Sequence, residues 1–403
     1  MVTEELEVAG HIIDSLLLAK ILDAIVAAGA DYTMLDVQVG RTNLDTSRAR
    51  LSVTAQDEAA LAALLEELQV HGANRVDNAD ARLARCDLDG VLPAGFHATT
   101  NLPTQVRLDG RWHDVVDPEM DCALVVTGEL VRTCPMHRVT GGDLVVVGGD
   151  GVRVEAPARR RGAGSFEFMS SEVSSEKPKA LLVSGVAARM VASRERGTRT
   201  LAVLGPAVVH TGAGPDVARL VREGWIDILF AGNGFAAHDI ESNVLGTSLG
   251  ISVAAGTTTE GGHSNHLRVI NEVRRWGSIP AAVAGGYVSG GVMYECVRRP
   301  IPYVLAGSVR DDGPLPDVRT DVVVAVDEMR SHVAGVGVAL MLASTLHAIG
   351  TGNILPAGVE TYCVDINQAV VTKLADRGSH QAVGIVTDVG LFVRDLTDRL
   401  CGR

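Results

Sequence analysis

Apolar and polar positions divide the chain into three stretches of different rhythm. In the first, residues 1–85, HIIDSLLLAKILDAIVAAGA carries apolar residues at helical spacing and stops at Gly29, while YTMLDVQVG and RARLSVTA alternate as half-buried strands do. DEAALAALLEELQVHGA is again helical, with Asp57 placed to cap its start and Gly72 to end it. Helix, strand, strand, helix predicts an α+β unit resembling part of a ferredoxin-like fold. In the second stretch, residues 86–160, short apolar runs are cut by Gly, Pro and Asp turns: GVLPAGFHATTN, TQVRLDGRWHDV, CALVVTGELVRT and DLVVVGGDGVRVEAP. That spacing predicts a small all-β module. The run Arg159-Arg160-Arg161-Gly162-Ala163-Gly164 then reads as a linker.

From 161 to 403 strand, turn and helix repeat, which predicts an α/β, Rossmann-like domain. The clearest unit is Thr345 to Phe392, read as helix end, turn at Thr351-Gly352-Asn353, strand, helix and strand. VETYCVDI is apolar and β-branched, as a strand buried on both faces should be, and it ends on Asp365; the next strand, AVGIVTDV, ends on Asp388. In a doubly wound sheet the ligand lies at the carboxyl ends of the strands. A carboxylate there can accept hydrogen bonds from both ribose hydroxyls of a nucleotide and would repel the extra phosphate of NADP. The same acids could equally cap the helices that follow. Two more strand ends carry glycines: Gly212-Ala213-Gly214 after RTLAVLGPAVVH, a weak phosphate-turn signal without its third glycine, and Gly232-Asn233-Gly234 after WIDILFA. The loop VLAGSVRDDGPLPDV sets Arg310, Asp311, Asp312 and Asp317 beside two prolines. FEFMSSEVSSEKP is read either as a capped loop or as a ligand-facing one.

Charge and composition narrow the partners. The chain has 403 residues, a net charge of −13 and 46% apolar residues. With no basic stripe, nucleic acid is not expected as a partner. No apolar run is long enough for a membrane helix, and the acidic start MVTEELEVAG has no signal-peptide core. Six scattered cysteines without a CxxC pair imply free thiols in a reducing cytoplasm. Cys296 and Cys363 would be nucleophiles only beside a base. His263 and His266 stand three apart at a helix start, but no third ligand follows at motif spacing, so no metal is expected.

FEFMSSEVSSEKP, GPAVVHTGAG, FAGNGFAAHDIE, VLAGSVRDDGPLPD, TGNILPAG, CVDIN, VVTKLADRGS and GIVTDVGLF together resemble the archaeal-type ornithine cyclodeaminase family. Its members carry a conserved region shared with lysine-ketoglutarate reductase/saccharopine dehydrogenase. The resemblance covers nearly the whole chain. It implies NAD held in a Rossmann-like C-terminal domain distantly similar to that of deoxyhypusine synthase. Matched motif by motif, the residues similar to the family's NAD contacts are Asn233, Gly234, Asp312, Thr351, Gly352, Asn353, Ile354, Leu355, Asp365, Asp388 and Val389. Gly234-Phe235 departs from the family's usual Ala-Leu, which bears on the substrate rather than the cofactor.

The implied reaction has no net redox change: oxidation at Cα of ornithine, attack by the δ-amine, loss of ammonia, and return of the hydride to give proline. It needs a base for the α-ammonium, a cation for the carboxylate and a partner for the distal amine. His238 or Asp239, just after the Gly-Asn-Gly segment, is the expected acid/base group, and Arg310 the clamp. A homo-oligomer acting on a small amino acid is expected. An NAD-dependent dehydrogenase or cyclodeaminase acting on another (di)amino acid and a non-catalytic NAD-binding regulator are the alternatives.

Overall fold

The computed structural model describes all residues except 11, 14–16, 41–44, 77–78, 121, 136–137, 156–178, 249–250, 253–264, 312, 377–381 and 403. The Arg159–Gly164 linker, the FEFMSSEVSSEKP segment, His263 and Asp312 therefore lie outside the described residues. The chain divides into two compact units, Met1–Glu167 and Phe168–Arg403.

The first unit opens with β1 (Val2–Gly10), α1 (Leu17–Ala27), β2 (Asp31–Gln38), β3 (Ser47–Ala55), α2 (Glu58–Val70) and β4 (Ala73–Arg75). The sheet order β2-β3-β1-β4 completes the βαββαβ ferredoxin-like pattern of which the sequence reading saw only the middle. The missed central strand β1 alternates glutamates with the buried Leu6 and Val8, and pairs with β3 along its whole length. Asp57 does cap α2, its carboxylate accepting from the Ala60 N–H at 2.8 Å. Gly29 and Gly72, where the two helical patterns end, have φ of 70° and 79°, which glycine adopts without Cβ strain.

A seven-stranded sheet follows: β5 (Arg82–Arg85), β6 (Thr104–Leu108), β7 (Arg111–Val116), β8 (Ala123–Thr127), β9 (Leu130–Cys134), β10 (Leu144–Val147) and β11 (Val152–Val154), in the order β11-β6-β7-β9-β8-β10-β5. β5, placed by sequence in the first stretch, pairs with β10. The segment GVLPAGFHATTN is not a strand; it touches the sheet through one bridge, Phe96 to Val147. The β6–β7 hairpin turns on Asp109-Gly110, both with positive φ, the type I′ geometry that fits strand twist.

In the second unit α3 (Lys179–Glu195) leads into β12 (Arg199–Leu204), α4 (Ala207–His210), α5 (Gly214–Arg222), β13 (Ile228–Gly232) and α6 (Asn233–Leu245). A small ribbon of β14 (Thr247–Ser248) and β15 (Ile251–Ser252) comes next, then α7 (Asn265–Trp276), α8 (Ile279–Ala284), α9 (Val292–Arg298) and β16 (Tyr303–Ala306). β17 (Val318–Arg319), α10 (Val322–Val333), β18 (Val336–Leu342), α11 (Leu346–Ile354), β19 (Glu360–Asp365), α12 (Gln368–Asp376), β20 (Ala382–Val386) and α13 (Val389–Cys401) complete it. Seven of these strands form a parallel sheet in the order β17-β16-β13-β12-β18-β19-β20. Its middle strands are buried almost throughout, with Leu201, Val203, Phe230, Ala339 and Met341 in one core. The chain winds outward from β12 in one direction and then restarts at β18 in the other. The crevice between β12 and β18 is thus the switch point where doubly wound sheets bind ligands.

Candidate functional site

Gly205 follows β12, and a Cβ there would fall 1.7 Å from the Ala343 carbonyl oxygen after β18. The two strand-end loops are pressed backbone to backbone, and Gly205 N–H donates to the Leu342 carbonyl at 2.9 Å. Across from it Ala343 has φ 48°, a left-handed conformation that costs a non-glycine residue roughly 1–2 kcal/mol. Strain of this kind concentrates at ligand sites. The glycine that shapes the crevice is therefore Gly205. Gly212, which the sequence reading singled out, is separated from β12 by α4, and Gly214 already belongs to α5. The β-branched AVVH looks like a strand continued, but forms a helical turn.

The helices that start at this edge differ in their caps. The N-cap positions of α4, α6 and α11 are Pro206, Gly232 and Thr345, and none gives a side-chain cap hydrogen bond. In α4 the Val208 and Val209 N–H groups already donate to the Gly205 and Pro206 carbonyls, so the first turns of α6 and α11 are the ones placed to offer N–H donors to an anion at a helix start. By contrast Asp388 caps α13, accepting from the Leu391 N–H at 2.9 Å, with Val389 buried behind it as the first helical residue. Asp365 ends β19 half-buried and accepts from the Asn367 N–H at 2.8 Å.

Asn233 opens α6, and its side-chain oxygen accepts from the Leu315 N–H at 3.0 Å, tying the β16–β17 loop to the helix. A Cβ on Gly234 would sit 3.4 Å from Pro206, so α6 lies close against the loop after β12. Phe235, where the family pattern has a smaller residue, is fully buried. Thr351, Gly352, Asn353 and Ile354 are not a turn: α11 runs through them, with Leu355 as its C-cap. Packing overrides the local turn signal here, because Ile354 and Leu355 join the core under the sheet. Thr351 is wholly buried, and its hydroxyl has no hydrogen-bond partner among the described residues. Arg310 is exposed on the loop after β16, its backbone N–H donating to Ser308 Oγ at 3.2 Å.

Besides Gly205, a histidine at this edge was not marked from sequence. His347, in the first turn of α11, reaches over Gly232, where a Cβ would meet its ring at 2.9 Å. Burial lowers its pKa, while Asp311 and a bond to the Ala306 carbonyl pull it up. Its only sequence signal is a histidine just after an apolar strand end.

His238 and Asp239 have separate roles. His238 is nearly buried, and its Nδ1 lies 2.9 Å from Glu241 Oε2. Glu241 is fully buried and also accepts from Thr247 Oγ1 at 2.8 Å, while Thr247 accepts from Asn265 Nδ2 at 2.9 Å. An ionised carboxylate only accepts, so this bond puts the His238 proton on Nδ1 and leaves Nε2 as the basic atom. Asp239 instead accepts from the backbone N–H groups of Val292 (3.0 Å) and Met293 (2.8 Å), anchoring the start of α9. Of the two residues offered for acid/base work, Asp239 is thus occupied as a helix anchor.

Burial raises the Asp239 pKa to about 6, with the two backbone donors pulling the other way. A buried acid of raised pKa holds its proton more tightly folded than unfolded, so its contribution to stability falls as pH rises from about 4 to 6. The Asp239→Asn variant lacks that slope. Urea melts should show the variant gaining on the native protein across this window by on the order of 3 kcal/mol.

His210 ends α4, its Nδ1 2.7 Å from Ser248 Oγ, and its ring centroid is 4.9 Å from that of His238. His266, on α7, stands 5.9 Å beyond His238. Among the described residues no group of three His, Cys, Asp or Glu side chains is arranged to hold a metal. Cys296 and Cys363 are buried, and burial pushes both thiols up, Cys363 to about 12, so neither is a thiolate at neutral pH. No described helix is long and apolar enough to cross a membrane.

Three family models tile the chain. The LOR/SDH bifunctional enzyme conserved region matches residues 3–102, the first C-terminal region of arginine dihydrolase ArgZ-like proteins 103–183, and their C-terminal Rossmann fold 184–396. A protein named ornithine cyclodeaminase from Methanopyrus kandleri is 49% identical over 98% of this chain and 97% of its own length. The crystal structure of ArgZ, an arginine dihydrolase from the ornithine–ammonia cycle in cyanobacteria, matches with a TM-score of 0.86 and 38% identity, over 99% of this chain and 58% of that one. A ternary complex of AgrE with ornithine and NAD+ matches with a TM-score of 0.54 and 42% identity, over 99% of this chain and 57% of that one. The chain thus spans just over half the length of those two proteins and nearly all of the archaeal relative. On its sequence and its fold, the chain belongs to the ornithine cyclodeaminase family that joins the LOR/SDH conserved region to an ArgZ-like Rossmann domain.

Proposed function

We propose that this chain is an NAD-dependent cyclodeaminase that converts ornithine into proline and ammonia. The observation that carries the reading is the placement of the Glu241–His238 pair. α6 meets the loop after β12 at Gly234 and Pro206. Four residues along each helix, about 6 Å at 1.5 Å per residue, His238 meets His210. An oriented imidazole base therefore stands one turn from the switch-point crevice. The AgrE complex, which holds ornithine and NAD+ together, supports the same pairing of ligands here.

The residues present fit the dinucleotide. The uncapped helix starts at Gly232 and Thr345 offer N–H groups to a pyrophosphate, and Gly205 and Gly234 allow the backbone to come close. Thr351 supplies an unpaired buried hydroxyl, with Gly352, Asn353, Ile354 and Leu355 around it. Asp365 is placed for ribose, with exposed Ile366 next to it as an apolar surface for the base, and Asp388 and Val389 close that end. Asn233 holds the loop that carries Asp312. When bound, the cofactor supplies a hydride acceptor for Cα and then the hydride that completes the product.

The chain's own residues do the rest. His238 Nε2 takes the α-ammonium proton, because hydride does not leave a carbon bearing a cationic nitrogen. Glu241 keeps that imidazole in the reactive tautomer. Arg310 is the guanidinium within this loop set for the carboxylate. The six free cysteines fit a cytoplasmic protein, and β2, an exposed edge strand with Leu35 and Val37 in solvent, is a surface for a second copy.

Incubation with ornithine, lysine and diaminobutyrate, read by mass spectrometry, should give ammonia and a cyclic product with ornithine preferred. Asp365→Ala should weaken NAD binding by ~10-fold or more, the loss of charge-assisted hydrogen bonds. The native protein should bind NAD more tightly than NADP; the reverse order in a titration would contradict this use of Asp365.

A further inference from the structure

Three imidazoles from three different helices stand in a row, the middle one, His238, bonded to the buried Glu241 carboxylate, and one base does not account for all of them. His210 is exposed at the end of α4, His238 is nearly buried on α6, and His266 is half-buried on α7. The ring centroids of His210 and His238 are 4.9 Å apart, and those of His238 and His266 5.9 Å. The groups facing His210 among the described residues are His238 and Glu241 from α6, with Ser248 from β14. Together they lead from solvent to the Glu241–His238 pair.

The proton balance of the proposed reaction, on which this inference rests, calls for such a path. Ornithine enters with two ammonium groups, and proline plus ammonium leave with the same total number of protons. Two protons must nevertheless come off before ammonia can depart. One leaves the α-nitrogen so that hydride can be lost from Cα. The other leaves the δ-nitrogen so that its lone pair can attack the same carbon. A further proton then shifts from the ring nitrogen to the departing amine as the C–N bond breaks. The first two return afterwards, one to the free ammonia and one to the ring nitrogen. A single imidazole holds one proton, so His238 must discharge the first before it can accept the second.

We propose that His210 and His238 form a proton relay in which His238 exchanges protons with the substrate amines and His210 passes them to and from solvent. His210 is a positioning and transfer residue in this scheme and does not touch substrate. The His238 N–H to Glu241 stays in place throughout, and the mobile proton travels on the Nε2 side. Burial beside His238 lowers the pKa of His210, with Glu241 opposing, so it releases protons readily at neutral pH.

His210→Gln keeps a hydrogen-bonding side chain for Ser248 while removing the proton carrier. In dilute non-imidazole buffer its kcat for ornithine should fall at least ~10-fold, the scale of an impaired proton transfer. KM should stay within about twofold, because substrate contacts are intact. Added imidazole should restore the rate in a concentration-dependent way. An unchanged kcat, or a loss that imidazole leaves untouched at every pH, would overturn the relay. A second readout needs neither cofactor nor turnover, and so separates the relay from the cyclodeaminase reading. In ligand-free protein labelled with 15N-histidine, His210 should titrate below a free imidazole, and in His238→Gln, which removes the imidazole beside it, the His210 curve should move to higher pH. A His210 curve that does not move would refute the relay even if ornithine is turned over. A curve that moves, in a protein that does not turn ornithine over, would refute the cyclodeaminase reading and leave the coupling of the two imidazoles standing.

Discussion

Replacing Gly205 with alanine is expected to destabilise the C-terminal unit by more than ~3 kcal/mol and to abolish NAD binding. Inserting one methylene into a packed interior typically costs ~1–3 kcal/mol when side chains can yield. At Gly205 they cannot: the added Cβ would fall 1.7 Å from the Ala343 carbonyl oxygen, 2.6 Å from its carbon and 3.2 Å from Ser344 Cα, all backbone. Relief requires parting the loops after β12 and β18, which breaks the Gly205 N–H bond to Leu342 and opens the crevice that should receive the dinucleotide. Gly212→Ala is the control. Gly212 has φ 77° but open space around its Cβ position, so alanine there should cost only about 1–2 kcal/mol and spare NAD binding. Thermal melts and NAD titration of the pair distinguish a crevice built on Gly205 from one built on the Gly-x-Gly segment.

Glu241→Gln is expected to reduce kcat on the order of 10²–10⁴-fold while NAD affinity and melting temperature change little. The amide has the same size and still accepts from Thr247. It can, however, present its NH2 to His238, and the ring then carries its proton on Nε2 and is no longer a base there. Replacing the buried charge by a neutral amide leaves no uncompensated ion, so the stability cost is small. Activity lost together with folding would point to a structural role for Glu241; activity retained would remove His238 as the base.

Much of the parallel sheet was legible because its strands are buried on both faces and therefore read as unbroken apolar runs: RTLAVL, ILFAG, YVLA, ETYCVD and AVGIV are all strands, while VGVALML, the strand across the switch point, was not singled out. Asp57, Gly29 and Gly72 were legible because caps are local chemistry. β1 was passed over because its glutamates made it look like an acidic tail, although Leu6 and Val8 carry the period of two. Thr351-Gly352-Asn353 was read as a turn because glycine and asparagine favour turns locally; burial of Ile354 and Leu355 against the sheet decided for helix. The site divides in the same way. Strand-end positions such as Asn233, Asp365 and Asp388 follow from topology. The meeting of His210, His238 and His266 does not, since residues on three helices share no local pattern, and nothing in HDIE alone shows that Asp239 anchors α9 while Glu241 orients His238. His347 escaped notice for the same reason: its partner Gly232 lies on another strand end.

The central claim is oxidation at Cα followed by return of the same hydride to the same carbon, and ornithine deuterated at Cα tests it directly. With a catalytic amount of NAD+, the proline formed should retain deuterium at Cα, ammonia should appear one for one with proline, and no free NADH should accumulate. Deuterium recovered in free NADH at one equivalent per turnover, or an undiminished rate after the cofactor is removed, would contradict the account.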